Sequence, residues 1–437
     1  MAQIKKPVAQ RAFLFLKLIL GWLGEKTCNR RHNARMNKQV LIAGGGIGGL
    51  AAAIGASRVG WDVRLFEQAS QFSEVGAGIQ MGPNVVRRLQ AWGLQKPLQQ
   101  VVALPGYLRV RSAMTGGELG AMALGSEAVN RYGAAYATIH RADLHQLLLD
   151  ALLTYPSVHL NLNQGLDSFS EADGVVTVRT RAGKLIEGDA LIAADGVRSQ
   201  LRQQLLGDGP PRFSGHLAYR ALVHQAQLPK RLRAHDVTAW LGPRLHGVQY
   251  PVRRGEMQNL VVIIEGAIPG DMATWDHEAN LDDLQRALAG SCSELLDLIG
   301  HVPEAGGEWR LWPLSARMPV SSSSQMAHGV VALLGDAAHP MLPYLAQGAG
   351  MAIEDAAELQ RALAMDDLEV SLRLRRYALN RWQRNARVQA RSLRNGRIFH
   401  ATGVMRWGRD LSMRMLGEKL LDLPWLYRGD GSSASSL

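Results

Sequence analysis

The sequence predicts an α/β protein: a Rossmann-like domain with an inserted, mainly antiparallel β-sheet domain and a C-terminal helical region. Three stretches carry this reading. Lys38 to Gln68 runs through a buried strand, a glycine turn, a small-residue helix and a second strand. Between Phe213 and Gly266 the pattern changes to long alternating strands, FSGHLAYRALVH, VTAWLG, LHGVQYPVR and MQNLVVIIEG. From His328 the chain returns to a buried strand, a turn and a helix opened by glycines.

In the first stretch Val40 to Ala43 form the strand, Ile47 to Gly60 the helix, and Val63 to Phe66 the strand that ends on Glu67. Gly44, Gly46 and Gly49 fit G-x-G-x-x-G. The first serves a tight turn, the second lets backbone approach a pyrophosphate, and the third allows close packing of the helix. The helix N-terminus presents N–H groups and a positive dipole end to phosphates. Glu67 can accept hydrogen bonds from ribose hydroxyls and disfavours a 2′-phosphate. A glycine turn alone is a weak signal; strand, turn, helix and acidic strand end together point to a bound dinucleotide.

A chain of 437 residues, 47% hydrophobic and 20% charged, has the composition of a globular protein with room for two or three domains. Cys28 and Cys292 lie far apart without C-x-x-C or histidine-cluster context, so neither a disulfide framework nor a metal site is expected, and a reducing, cytoplasmic setting fits. The net charge is +11, but +7 of it sits in residues 1–35, on Lys5, Lys6, Arg11, Lys17, Lys26, Arg30, Arg31 and Arg35 against Glu25. The apolar run Ala12 to Leu23 is too short to cross a bilayer and no cleavage site follows it. The expectation is that Met36 is the natural start and that the basic extension is an upstream-start product or a disordered arm; a basic membrane-surface helix is the alternative.

Further along, Pro83 and Asn84 open a helix that turns Val85, Val86, Leu89 and Trp92 inward. Leu144, Leu147, Leu148, Ala151 and Leu152 give a helical packing face preceded by Arg141, which reads equally as a solvated cap or as a cofactor-phosphate contact. A buried strand ends at AADGVRSQLR, where Asp195 and Gly196 turn the chain into a helix bearing Ser199 and Arg202. The last stretch has a strand at Val330 to Leu334, the Gly335-Asp336 turn, a proline-bounded loop, and a helix begun by Gly348 and Gly350. Arg384, Arg387, Arg391 and Arg394 then form a stripe whose default reading is a solvated face. Without aromatic interleaving it does not support nucleic-acid binding.

GGGIGG with Glu67, DGVRSQLR and GDAAHPMLPYLAQGAGMAIEDA together resemble the group A flavoprotein monooxygenases, single-component FAD aromatic hydroxylases, and most of all the branch with salicylate, 3-hydroxybenzoate and 6-hydroxynicotinate hydroxylases. The resemblance runs from about Asn37 to near Asp430. It implies a bound FAD whose ADP half is held by Gly44, Gly46, Gly49 and Glu67, with Arg141 near the pyrophosphate. Asp195, Gly196, Ser199 and Arg202 match the family's D-G-x-x-S-x-x-R motif, and Asp336 would bind the ribityl chain. The helix start from Gly348 through Gly350 to Met351 would bring N–H groups to the flavin. In GHLAYR, His216 would accept a phenol proton and Tyr219 would line the ring pocket, although a strand histidine satisfied within the sheet competes with that role.

The implied activity uses NAD(P)H and O2 to hydroxylate a phenolic or heteroaromatic acid through a flavin C4a-hydroperoxide. NADH is favoured over NADPH; no second glycine fingerprint is visible for it, which suits a family whose nicotinamide cofactor has no dedicated domain, and a homodimer is left open. A same-fold epoxidase or reductase, and a basic membrane- or nucleic-acid-binding protein, are the alternatives. Pro343 stands where some relatives carry glutamine, so their regiochemistry does not transfer. The expected parts are the extension at 1–35; an FAD-binding domain at 36–100, 126–210 and 309–380; a substrate domain at 101–125 and 211–308; and a C-terminal helical region and tail at 381–437.

Overall fold

The structure, a computed structural model, describes residues 37–72, 77–268, 277–278 and 281–429; the expected extension at 1–35 and the end of the C-terminal tail lie outside these. Strand β1 (Gln39–Ala43) is buried along its whole length, as a strand covered on both faces must be. It pairs in parallel with β2 (Asp62–Phe66) on one side and with Ala190–Ala193 on the other. Helix α1 (Ile47–Ser57) crosses between β1 and β2 and is apolar on nearly every face, since it is enclosed by protein. The six-stranded sheet runs Ala327–His328, Val331–Leu333, Ala190–Ala193, β1, β2, Val158–Asn161. All its neighbours are parallel except at the Ala327–His328 edge. Helix α2 (Arg141–Leu152) packs against α1 and buries Leu144, Leu147, Leu148 and Leu152 in the same core.

The alternating segments form an eight-stranded sheet, mainly antiparallel as expected. At its centre β3 (Arg212–His224) lies between β4 (Met257–Glu265) and β5 (Arg310–Ala316). Tyr107–Ser112 and Glu118–Ala123 complete one edge, the first joining Val237–Gly242 in parallel. Side chains alternate between faces along a strand. Leu217, Tyr219, Ala221 and Val223 of β3 therefore meet Leu284, Leu295, Leu298 and Val302 from the helices Leu281–Ala287 and Ser293–Glu304. Ala218 packs on the other face with Ile263, Leu314, Leu342 and Tyr344.

Helix α3 (Gly348–Leu363) lies on α1 so closely that a Cβ on Gly55 would stand 2.9 Å from the Ala356 carbonyl oxygen. Helix α4 (Val370–Phe399) covers α3 and runs without a break across residue 381. Between them Glu354, Asp355 and Arg381 are buried, with Arg381 Nη1 3.0 Å from Glu354 and Nε 2.8 Å from Asp355. Arg384 corrects the expectation of a solvated arginine stripe. It donates to both Glu354 oxygens, at 2.6 and 2.8 Å, and to the carbonyls of Trp425 and Leu426. Arg387 stacks over Trp425 at 4.1 Å. Two arginines of the stripe thus hold the C-terminal turn. No helix among the described residues is long and apolar enough to cross a membrane.

Candidate active site

At the carboxyl end of β1 the chain turns on Gly44, whose φ of +98° suits only glycine and whose absent Cβ would lie 2.4 Å from the Ala194 carbonyl oxygen. A Cβ on Gly49 would come within 1.9 Å of the Gly44 carbonyl oxygen, so the turn and the first helical turn nest together. Gly46, the N-cap of α1, has nothing within 4 Å of its Cβ position, which leaves its backbone open to a ligand. Glu67 braces this turn: its carboxylate accepts from the N–H of Gly45 at 2.7 Å and of Ala69 at 2.8 Å. The buried His145 of α2 adds a contact of 2.7 Å from Nε2 to the Gly45 carbonyl.

The Asp195 loop is built as a helix cap. Asp195 Oδ1 accepts from Ser199 Oγ at 2.6 Å, Ser199 Oγ accepts from the Arg202 N–H at 2.9 Å, and Gly196 takes a φ of +85°. Burial raises the Asp195 carboxyl and these hydrogen bonds partly offset it. Arg202 reaches across to the Ala337 and Ala338 carbonyls at 2.9 and 2.5 Å, joining this loop to the Asp336 turn. The motif's Ser and Arg thus hold two distant loops in place.

A cavity of about 730 Å³ opens between these loops and the large sheet. Its lining includes Gly45, Gly46, Glu67, Arg141 and His145 from the dinucleotide-turn side, Arg220, Trp312 and Leu314 from the large sheet, and Met341, Pro343, Asp336 and Arg198 from the loops. Arg141 is the first residue of α2 and its side chain is part of the wall. Asp336 is exposed toward the cavity; desolvation by the surrounding protein raises its carboxyl, and the charges of His339 and Arg141 pull it partly back. From the 195–202 loop the lining is Val197 and Arg198, while Asp195 turns toward its own helix.

The start of α3 differs from expectation at two positions. A Cβ on Gly350 would meet Val85 Cγ2 at 2.7 Å, so the missing side chain of this glycine serves helix packing, while its N–H is left without an intrahelical partner. Met351 is fully buried, packs in an apolar cluster with Tyr250 and Val388, and spends its N–H on the Gln347 carbonyl at 2.8 Å. The N–H groups without an intrahelical partner are those of residues 348–350. Gly348 borders Asp336, its Cβ position lying 3.9 Å from Asp336 Oδ1.

On the large sheet His216 is half-buried, with Nδ1 2.6 Å from Tyr344 Oη and its ring 4.8 Å from that of His400. Burial lowers its pKa and the Glu265 carboxylate raises it in part. Tyr219 corrects the expectation that it lines the same pocket. It is 1% exposed and packs among the helices behind the sheet, because it stands an odd number of residues from His216 and so faces the other way. Arg220, four residues from His216, takes the place expected of it. Its guanidinium sits 5.0 Å over the Trp312 ring, its Nε is buried without a hydrogen-bond partner, and it lines the cavity.

The donor set fits a flavin dinucleotide: the open Gly46 backbone, Glu67, Arg141 and Asp336 line one cavity. The comparisons agree. A family model described as "FAD binding domain" matches residues 37–392. The chain is 37% identical over 390 residues to the 3-hydroxybenzoate 6-hydroxylase of Polaromonas naphthalenivorans, covering 89% of this chain and 95% of that protein. It belongs to the group A FAD-dependent aromatic monooxygenases. It is also 36% identical over 354 residues to the 6-hydroxynicotinate 3-monooxygenase of Bordetella bronchiseptica, covering 80% of this chain and 89% of that one. A solved salicylate hydroxylase substrate complex superposes with a TM-score of 0.75 at 27% identity, over 90% of this chain and 96% of that one. Klebsiella pneumoniae HpxO, solved with FAD and uric acid, shares the fold at a TM-score of 0.77 and 24% identity, over 88% of this chain and 94% of that one.

In this monooxygenase several site residues carry no local sequence signal. Tyr344 and His400 reach His216, and His246 packs on both of them, from separate elements: the loop before α3, the end of α4, and the strand Leu245–Val252. His246 Nδ1 lies 2.9 Å from His400 Nε2. Burial drives His400 down to about 3, with His216 and Arg409 adding to the effect. Arg220, by contrast, was within reach of the alternation rule applied to GHLAYR.

Proposed function

We propose that this FAD-dependent monooxygenase hydroxylates a small aromatic or heteroaromatic acid bearing a ring hydroxyl, with NADH as reductant. The observation that carries the proposal is the single cavity running from the Gly46 turn to Arg220 and Trp312 on the sheet face. FAD, when bound, supplies the activation of O2 with electrons from the nicotinamide. Gly44, Gly46, Gly49, Glu67 and Arg141 would hold its ADP half. Asp336 and the 348–350 N–H groups would hold the remainder, with the Asp195–Gly196 loop closing the wall.

The chain's own chemistry then follows from three groups. Arg220 offers an unpaired, desolvated positive charge to the acid's carboxylate, where a charge-assisted hydrogen bond is strong. His216 is neutral near pH 7 because burial lowers it. In the tautomer that donates from Nδ1 to Tyr344 Oη, its Nε2 lone pair is left to take the phenol proton. A phenolate is richer in electrons at its ortho and para carbons, which prepares the ring for attack on an electrophilic oxygen. Tyr344 holds the imidazole in that orientation.

Steady-state assays with hydroxybenzoates and hydroxynicotinates, scoring product against NADH consumed, test the reading. Replacement His216→Ala should retain FAD and slow hydroxylation roughly 10²–10⁴-fold at neutral pH; unchanged turnover removes His216 from the mechanism. NADH oxidation without any hydroxylated acid would assign a reductase on the same fold.

A further inference from the structure

We propose that His216, His400 and Glu265 form a binding site for one divalent cation of borderline softness, of the Zn2+ class, on the sheet face beside the cavity. These residues are far apart in the chain, so no ligand spacing announces them. His216 and Glu265 are register partners across β3 and β4, and His400 follows the last turn of α4. Among the described residues, one ligand atom from each lies within 4.8 Å of the others.

What distinguishes this group from a chance cluster is the state of its imidazole nitrogens. Each ring has one nitrogen held by a neighbour: His216 Nδ1 by Tyr344 Oη at 2.6 Å, and His400 Nε2 by His246 Nδ1 at 2.9 Å. Such outer hydrogen bonds are what orient a ligating histidine and select its tautomer. The opposite nitrogen of His400, Nδ1, is buried without a hydrogen-bond partner and lies 3.7 Å from Glu265 Oε1. Nitrogen, nitrogen and carboxylate oxygen make a donor set suited to Zn2+ with a fourth position open. Bonds of about 2.0–2.1 Å place tetrahedral ligand atoms about 3.3 Å apart, so the group must contract by no more than about 1.5 Å. Glu265 can take part in that movement, being 42% exposed and only loosely paired with Arg244 at 3.8 Å, and it already lies 3.7 Å from His400 Nδ1. Arg409, which bonds the Phe399 carbonyl beside the site, is itself neutralised by Asp410 at 2.8 Å.

A cation there would draw on the imidazole that the proposed mechanism uses as base, so its binding should inhibit hydroxylation. That consequence rests on the base assignment of His216, whereas the binding itself does not. The test is titration of the dialysed, FAD-loaded full chain with Co2+, followed by visible absorption of the metal after subtracting the flavin spectrum, and then displacement by Zn2+. One equivalent should bind, and Glu265→Gln and His400→Ala should each weaken binding by roughly 100-fold, with thermal melts confirming that both variants are folded. His246→Phe, which removes only the outer hydrogen bond, should weaken it roughly 10-fold. Absence of stoichiometric binding, or binding indifferent to both Glu265→Gln and His400→Ala, overturns the site. Binding without loss of hydroxylation leaves the site standing and overturns the role of His216 as base.

Discussion

Position 220 shows how far one residue's surroundings decide its use. A guanidinium that loses water needs a partner, and Arg220 has an aromatic face but no acceptor for Nε. An anionic substrate supplies the missing acceptor, so Arg220→Gln should raise KM for a hydroxylated aromatic acid by roughly 10-fold or more, in keeping with about 1.5–3 kcal/mol for a hydrogen bond to a charged group. Tyr219→Phe should leave KM and kcat within about two-fold, since its ring is on the far face; steady-state kinetics of the two variants side by side check both. Much of the site was legible at this scale. The glycines of the first turn and Glu67 follow from motif and spacing, because they act within one local unit. His246, His400 and Tyr344 were not, because folding alone brings Tyr344 and His400 to His216 and His246 to both of them.

The elements carry energetic commitments of their own. Intrinsic helix propensity favours Ala over Gly by about 0.8–1 kcal/mol, yet Gly55→Ala in α1 would press a methyl group into the Ala356 carbonyl of α3. The expected outcome is destabilisation by about 1–3 kcal/mol, read as a lower midpoint in denaturant; stabilisation would mean that the two helices separate easily. The buried ion network between α3 and α4 makes a second commitment. Burial by itself would raise Glu354, but Arg381 and Arg384 outweigh it and hold the carboxyl at about 2 against a usual 4.5. Its contribution, roughly 3 kcal/mol by linkage, is complete above pH 4.5 and lost as pH falls through about 2. Denaturation at pH 6, 4 and 3 should show Glu354→Gln less stable than the parent at pH 6, with the gap shrinking toward pH 3. A constant gap would contradict the ion-pair account. The arginine periodicity of α4 was visible in the sequence, but its partners were not, since Glu354 and the Trp425 turn lie about 30 and 40 residues away along the chain.

At the scale of the whole molecule, two sheets with different tasks meet at one cavity. The parallel sheet, assembled from segments as distant as β1 and Val331–Leu333, brings strand ends and a helix N-terminus to a dinucleotide. The antiparallel sheet offers Arg220 to the cavity lining, and it bears His216 on the same face, outside that lining. This division was readable from the change of hydrophobic period between Phe213 and Gly266 and from the glycine turn, because both are repeated local patterns. The choice of acid is not readable in that way; it depends on the shape left between Trp312, Met341 and Pro343, which lie on different segments. The central claim is that this cavity directs one atom of O2 into an aromatic acid. The most direct measurement is the mass of the product formed by the FAD-loaded protein from NADH, a hydroxylated aromatic acid and isotopically labelled molecular oxygen. A product carrying a single labelled oxygen atom is the predicted result; NADH consumed with every acid left unlabelled, or a new oxygen derived from water, would contradict the account.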